Sequence, residues 1–204
     1  MAEIEARDVK ELRDRTGAGV LDCRAALAEA GGDLARAIEI LRVKGQASAA
    51  KRSGRATSEG LVASYIHANG KVGVLVEVQC ETDFVARSDE FQEFADEVAI
   101  HIAGAPSMPA YVSADEITED DREAERRVFE EKAREEGKPE DIVARIVDGQ
   151  LEKWSQEVAL LEQEHIRTDR HEGKTIEDLR AEIAAKTGEN VRIARFAHFR
   201  VGQE

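Results

Sequence analysis

The chain has 204 residues, of which 42% are hydrophobic, 35% charged and only 4% aromatic, and its net charge is -14. This composition is typical of a folded, helix-rich protein with a thin aliphatic core and broad charged surfaces. The acidic excess disfavours nucleic acid as a direct partner, because a polyanion would be repelled. No apolar run reaches the roughly 18 residues that a membrane span requires. Residues 1–5 lack the features of a signal peptide, so we expect a cytoplasmic protein without membrane contact.

Residues 1–45 predict a small domain of three short helices. Gly31 and Gly32 end the second helix, since glycine readily adopts the left-handed conformation found at helix ends. Asp33 is a suitable N-cap for the third helix. The apolar stripes of the three helices have helical spacing and comprise Val9 and Leu12, then Leu21, Ala25 and Ala28, then Leu34, Ala37, Ile38 and Leu41.

Residues 46–58 have small and basic side chains with little apolar content, which favours a linker that is in part helical. The basic residues in and before this segment are Arg42, Lys44, Lys51, Arg52 and Arg55. No aromatic residues lie between them to stack on bases, so we interpret the charges as a solvated surface and not as a nucleic-acid site.

The pattern changes to strands after the linker. Residues 61–67 are rich in strand formers, and Asn69-Gly70 is typical of a type I′ hairpin turn. Strict alternation then predicts a second strand with one face toward a core, formed by Val72, Val74, Val76 and Val78.

Helices dominate the next hundred residues. Ser88 is a suitable N-cap for an amphipathic helix that ends near Gly104. Residues 113–160 predict a helical hairpin, with Pro139 at the first position of its second helix. Thr175 and Asp178 then form a capping box that opens a last helix.

A final strand follows, with Val191, Ile193, Phe199 and Val201 expected on one face. Arg195 and Ala197 interrupt that face, which indicates a β-bulge or an edge strand. The predicted fold class is therefore α+β: the N-terminal helices, and then a core of residues 59–204 in which a three-stranded antiparallel sheet packs with helices on one face.

Sequence signatures of catalysis are missing. Gly17-Ala18-Gly19 has no third glycine for a dinucleotide loop, and no phosphate-binding G-x-x-x-x-G-K-[ST] run occurs. His165 and His171 are six residues apart and do not share a helical face, and the two cysteines, Cys23 and Cys80, are isolated. We therefore predict a non-enzymatic protein without cofactor or metal that works by binding. The alternative is an enzyme that uses scattered carboxylates.

Three stretches resemble one family. Residues 9–19, followed by 22–27, are similar to the N-terminal domain of the elongation factor Ts family, a ubiquitin-associated-like module. Residues 81–87, with the sequence Glu-Thr-Asp-Phe-Val-Ala-Arg, look like the family's exchange motif. Further similarity to its core lies in residues 137–140, 160–163 and 188–190. Long members have two related core subdomains, whereas this core has room for one sheet, so the chain resembles the short form and homodimerisation is expected.

The resemblance implies a guanine nucleotide-exchange factor for the GTPase elongation factor Tu. In this role Thr82, Asp83, Phe84 and Val85 would dislodge Mg²⁺ and promote GDP release, so that GTP can bind. Further candidate partner contacts are Arg13, Gly17, Gly19 and Val20 in the N-terminal module. A phenylalanine that follows a strand is often a core residue, but with the full motif we predict that Phe84 is an exposed anchor. An adaptor for ubiquitin-like domains is the alternative that residues 8–45 alone would allow.

Overall fold

The computed structural model of the chain describes residues 4–202, without the side chains at positions 140 and 141. Two compact units are distinguished: one runs through residue 99 and resumes at residue 177, and the other is Ile100–Ile176. In chain order the elements are α1 (Ala6–Thr16), α2 (Val20–Glu29), α3 (Leu34–Arg52), β1 (Glu59–Ile66), β2 (Val72–Cys80), α4 (Asp83–Ala86), α5 (Asp89–Gly104), α6 (Glu119–Glu135), α7 (Glu140–Val158), α8 (Thr168–His171), α9 (Ile176–Thr187) and β3 (Arg192–Arg200). Short 3-10 turns occur at Ala114–Glu116 and Leu160–Glu162.

The three N-terminal helices form as predicted and enclose a small core. Its fully buried members are Leu12, Cys23, Ala26, Leu27 and Ala37. Asp33 caps α3, with its carboxylate accepting the Arg36 N–H at 3.1 Å. The ubiquitin-associated-like character of this domain, and its boundary at residue 45, stay predictions.

The helix α3 does not end at residue 45 but continues to Arg52, through the first half of the expected linker. Alanine and other good helix formers fill this stretch, and it is held against α9. The Gln46 side chain donates to Asp178 at 2.8 Å, and Ala49 is buried. Among the basic side chains, Lys44 pairs with Glu29 at 2.6 Å on the surface, where both side chains are half exposed.

The three strands form one antiparallel sheet with the order β1-β2-β3. The predicted alternation of β2 is confirmed: Val74, Val76 and Val78 are buried, whereas Leu75 on the other face is exposed. The hairpin is also confirmed, but its turn is not type I′. The connection is residues 67–71, and only Gly70 has a positive φ, +67°. The Gly70 N–H donates to the His67 carbonyl at 2.7 Å. The loop is therefore longer than a two-residue turn, and Asn69 need not be left-handed.

The predicted bulge in β3 is confirmed. It makes the prediction that Phe199 shares a face with Val191 and Ile193 wrong. Glu77 pairs with Arg195 but Val78 pairs with Ile193, so Ala194 is the extra residue. This residue reverses the alternation that follows it, because side chains in a strand alternate with period two. Phe196 is therefore the aromatic residue on the half-buried face, and Phe199 is 71% exposed.

The second unit contains the predicted helical hairpin of α6 and α7. Its small core comprises Ala133, Val143, Val147 and Leu151, with Phe129 and Trp154 against it. Thr118 caps α6, and Pro139 is the N-cap of α7, one position before the predicted one. Among residues 4–202, no helix is long and apolar enough to cross a membrane.

Candidate partner-binding site

Residues 81–87 leave the end of β2 and form the single turn α4. Thr82 is its N-cap, with the side-chain Oγ1 accepting the Val85 N–H at 3.4 Å. Ala86 is buried beneath the turn, and Phe84 points outward with 85% of its surface exposed. The prediction that Phe84 is exposed is confirmed, and the alternative that it belongs to the core is excluded.

The other members of the motif are less exposed than Phe84. Asp83 pairs with Arg87, one helical turn later, at 3.0 Å, and its side chain is 47% exposed. Val85 is half-buried. The arrangement is that of an aromatic side chain at the tip of a turn with an acidic group beside it, which suits insertion into a partner.

The base of the turn is held by Glu189, in the loop between α9 and β3. One carboxylate oxygen accepts the N–H groups of Glu81 at 3.0 Å and Thr82 at 3.1 Å. The other oxygen accepts the Thr82 hydroxyl at 2.7 Å. A single carboxylate thus takes three donors at the point where the chain leaves the sheet.

Asn190 connects the same place to the end of α3. Its N–H donates to the Glu81 carboxylate at 2.6 Å, and its side-chain amide donates to the carbonyls of Ser53 at 3.2 Å and Arg55 at 2.9 Å. The Asn190 N–H, and after it the Arg55 guanidinium, lower the pKa of Glu81 below its usual value. Glu81 is therefore ionised at neutral pH and holds its partners as an anion.

The two cysteines are buried thiols, as predicted. Cys80, the last residue of β2, donates to the Thr82 carbonyl at 3.2 Å. Burial raises its pKa to about 11. It is therefore a neutral thiol that contributes to the base of the turn.

The four candidate contacts of the N-terminal module lie around the junction of α1 and α2. Gly17 ends α1 with φ of +66°, and Gly19 is the N-cap of α2. Arg13 and Val20 line one cleft of about 430 Å³, whose other lining residues are Ile4, Ala6, Val9, Lys10 and Arg24. The structure thus brings Arg13 and Val20 together, while the two glycines shape the turn between their helices.

Three histidine rings meet in the second unit, an arrangement that the spacing of the residues in the sequence does not predict. The His165 ring centroid lies 5.4 Å from that of His101 and 4.2 Å from that of His171. His101 is fully buried, accepts the Ile166 N–H through Nδ1 at 3.2 Å and contacts Gln163 through Nε2 at 2.8 Å. Its Nε2 therefore carries the proton, and burial lowers its pKa to about 4. A neutral imidazole of this kind is a structural group.

The features that stand out on this α+β fold are an exposed aromatic turn held at its base and an open, partly basic cleft, surface features of the kind found where proteins bind partners. Comparison with known proteins agrees. A family model described as elongation factor TS matches residues 46–172. The elongation factor Ts of Nitratidesulfovibrio vulgaris is 52% identical over 201 residues, which cover 98% of each chain. That of Solidesulfovibrio magneticus is 50% identical over 204 residues, the whole of both chains.

The chain belongs to the elongation factor Ts family, and with it to the factors of translation elongation. Another relative, the elongation factor Ts of Fervidobacterium nodosum, is 47% identical over 201 residues, with 98% of this chain and 100% of the relative covered. The matches extend over the N-terminal helices as well as the core. Relatives of this length agree with the expected resemblance to the short form of the family.

Proposed function

We propose that the chain is a guanine nucleotide-exchange factor for elongation factor Tu in the cytoplasm, with α4 as its wedge. The observation that carries this proposal is the exposure of Phe84 on a turn whose base is fixed by Glu189. Because the backbone that carries Phe84 is held before binding, less backbone entropy is lost in the complex. Phe84 and Asp83 would enter the GTPase domain and displace the groups that hold Mg²⁺ and GDP.

The energetics of exchange require more than the wedge. Because linkage is reciprocal, a factor that weakens GDP binding is itself weakened by GDP to the same extent. Reversal of a population from about 1:99 to 99:1 requires about 5.5 kcal/mol of differential affinity. A strong anchor residue contributes about 2–4 kcal/mol, so a second surface is needed. The cleft lined by Arg13 and Val20 is our candidate for that surface.

The proposed activity is not enzymatic, because binding energy alone opens the nucleotide site. The test is the release of fluorescent GDP from elongation factor Tu, with this chain present at a tenth of the GTPase concentration or less. We expect acceleration over many turnovers and no hydrolysis of nucleotide. Acceleration that requires equimolar protein, or GTP hydrolysis by the chain alone, would contradict the proposal.

We further propose that the chain forms a homodimer through the outer face of its sheet. On this face Ile66 of β1 and Phe199 of β3 both pair with Gly73 of β2, so that the two large side chains form an apolar row across the sheet. Both large side chains are more than half exposed, as is Val62 on the same face. A two-fold axis would place the same row of a second copy against it.

Light scattering tests the dimer. We expect about twice the monomer mass of 22.5 kDa at micromolar concentration, and the monomer mass for Phe199→Glu, since a charge cannot be buried without a partner. The matched control is Val128→Glu, which changes an exposed apolar residue of α6 and should leave the mass unchanged. A wild-type chain with the monomer mass at every concentration would contradict the dimer.

A further inference from the structure

We propose that Glu189 is the positioning residue of the exchange motif: its carboxylate orients the Thr82 hydroxyl and thereby fixes the direction in which α4 presents Phe84. The inference rests on the proposed function and adds a residue that the motif itself does not contain. Glu189 lies 108 residues after Glu81 in the chain, yet it contacts the first two residues of the motif directly.

The backbone at the start of the motif needs hydrogen-bond acceptors from outside the sheet. The pairing of β1 with β2 ends at Cys80, so the N–H groups of Glu81 and Thr82 have no acceptor in the sheet. Groups of this kind need another partner when they are shielded from water. One oxygen of Glu189 accepts both N–H groups, at 3.0 Å and 3.1 Å. Two hydrogen bonds to one charged oxygen restrain the direction of the chain as it enters the turn.

The Thr82 hydroxyl connects Glu189 to α4. A hydroxyl donates one hydrogen bond and can accept two. Here the proton is donated to the other Glu189 oxygen at 2.7 Å, which leaves the lone pairs of Oγ1 free for the Val85 N–H at 3.4 Å. The hydrogen bond to Glu189 therefore restrains the Thr82 side chain in the position from which Oγ1 caps the helical turn.

We expect α4 to depend on the cap formed by Thr82. A helix of a single turn has almost no stability of its own, because nucleation fixes several residues for one hydrogen bond. Within α4 only Ala86 is buried. Removal of the Glu189 carboxylate should therefore let the turn fluctuate and Phe84 point in many directions.

The loop that carries Glu189 has independent support. Its neighbour Asn190 is buried and bonds Glu81, Ser53 and Arg55. We therefore expect the loop to keep its place when the Glu189 side chain is changed, so that a variant at position 189 reports on the carboxylate.

The first measurement needs no partner. Amide hydrogen exchange is followed by NMR in the full chain for the wild type, Glu189→Ala and Glu189→Gln. We expect the amides of Glu81 and Thr82 to exchange at least about tenfold faster in Glu189→Ala, as the loss of hydrogen bonds to a charged group implies. The Val85 amide should also exchange faster, because its acceptor, the Thr82 hydroxyl, is no longer held by Glu189. The midpoint of global unfolding should stay nearly constant. Glu189→Gln should show a partial effect, because it keeps one acceptor oxygen. Unchanged protection of the three amides would overturn the proposal.

The second measurement is GDP release from elongation factor Tu. We expect the maximal rate with Glu189→Ala to fall about tenfold or more, and Glu123→Ala, which removes an exposed carboxylate of α6, to behave as wild type. Thr82→Val combined with Glu189→Ala should lose less than the sum of the two single variants, since the hydrogen bond between Thr82 and Glu189 is broken by either change. Normal release by Glu189→Ala, with its amides deprotected, would overturn the positioning role. A wild-type chain without exchange activity would instead count against the proposed function, because the amide measurement is independent of it.

Discussion

Phe84 and Ala86 lie in the same turn of α4, with Phe84 85% exposed and Ala86 9% exposed. Two positions along a helix correspond to about 200°, so one residue faces the protein when the other faces solvent. We therefore expect stability and partner binding to depend on different residues of one turn, so that substitutions can separate them.

Phe84→Ala should leave the free energy of unfolding within about 0.5 kcal/mol of wild type, because an exposed side chain has few contacts to lose. The rate of GDP release from elongation factor Tu should fall at least about tenfold, as expected for an anchor residue. Denaturant unfolding and GDP release measure the two effects.

The control for Phe84→Ala is Phe91→Ala. Phe91 is fully buried, so its truncation should cost about 3–5 kcal/mol of stability. Activity should then fall only in proportion to the folded fraction. A Phe84→Ala variant that unfolds easily and yet, while folded, exchanges nucleotide normally would show that the motif is structural.

Asp83→Ala should reduce GDP release by a smaller factor than Phe84→Ala. The substitution removes hydrogen-bond acceptors without leaving much buried area empty. Its ion pair with Arg87 is exposed, and such pairs contribute little to stability. Asp83→Asn, which keeps one acceptor oxygen, should retain more activity than Asp83→Ala. Equal activity of Asp83→Ala and wild type would remove this residue from the site.

The free energy of unfolding should fall as the pH is lowered from 7 to 5. Burial holds the pKa of His101 at about 4, below its ordinary value of 6.5. Below pH 6.5 the unfolded chain binds this proton and the folded chain does not, so protonation favours unfolding. The expected loss is about 2 kcal/mol between these pH values. A His101→Leu variant should show a flatter profile over the same range, and an unchanged slope would contradict the assignment.

Deletion of Ala194 should leave the sheet intact. Ala194 is the extra residue of the bulge, and without it Ile193 and Arg195 become consecutive partners of Val78 and Glu77. The alternation on both sides of the deletion then needs no bulge.

Deletion of Ala197 is the matched control. Either Arg195 is turned toward the buried face or the segment after the deletion changes face, and both outcomes are destabilising. We expect circular dichroism and thermal unfolding to show a near-native protein for the first deletion and a clearly less stable one for the second. Equal stability of the two variants would contradict this account of β3.

Structural features that depend only on residues close together in the chain could be predicted from the sequence. The caps formed by Asp33 and Ser88 are local side-chain hydrogen bonds, and both occur. The alternation in β2 likewise follows from burial of a single face. The face of Phe199 could not be derived, because one extra residue in β3 reverses every later position and its place depends on pairing with β2.

The site shows the same division between local and distant contacts. The exposure of Phe84 was predicted from its motif, whereas the role of Glu189 was not. The sequence Gly188-Glu189-Asn190 did stand out as similar to the family core. Only the fold reveals that it meets the start of the motif, since no periodic pattern connects a loop carboxylate to backbone N–H groups so distant in the chain. The extension of α3 to Arg52 could not be predicted for a related reason. It is held by a distant contact, the hydrogen bond from Gln46 to Asp178 of α9.

The position of β2 between β1 and β3 has a consequence for synthesis on the ribosome. Its neighbour β1 precedes it directly, whereas β3 begins only at Arg192, long after β2 ends at Cys80. Chains elongate at about 5–20 residues per second, so β2 exists for several seconds with one edge and one apolar face unprotected. During that time the nascent chain offers an edge to other strands. Overexpression at high temperature should therefore yield aggregates that contain chains stopped before β3, even if the finished protein is stable.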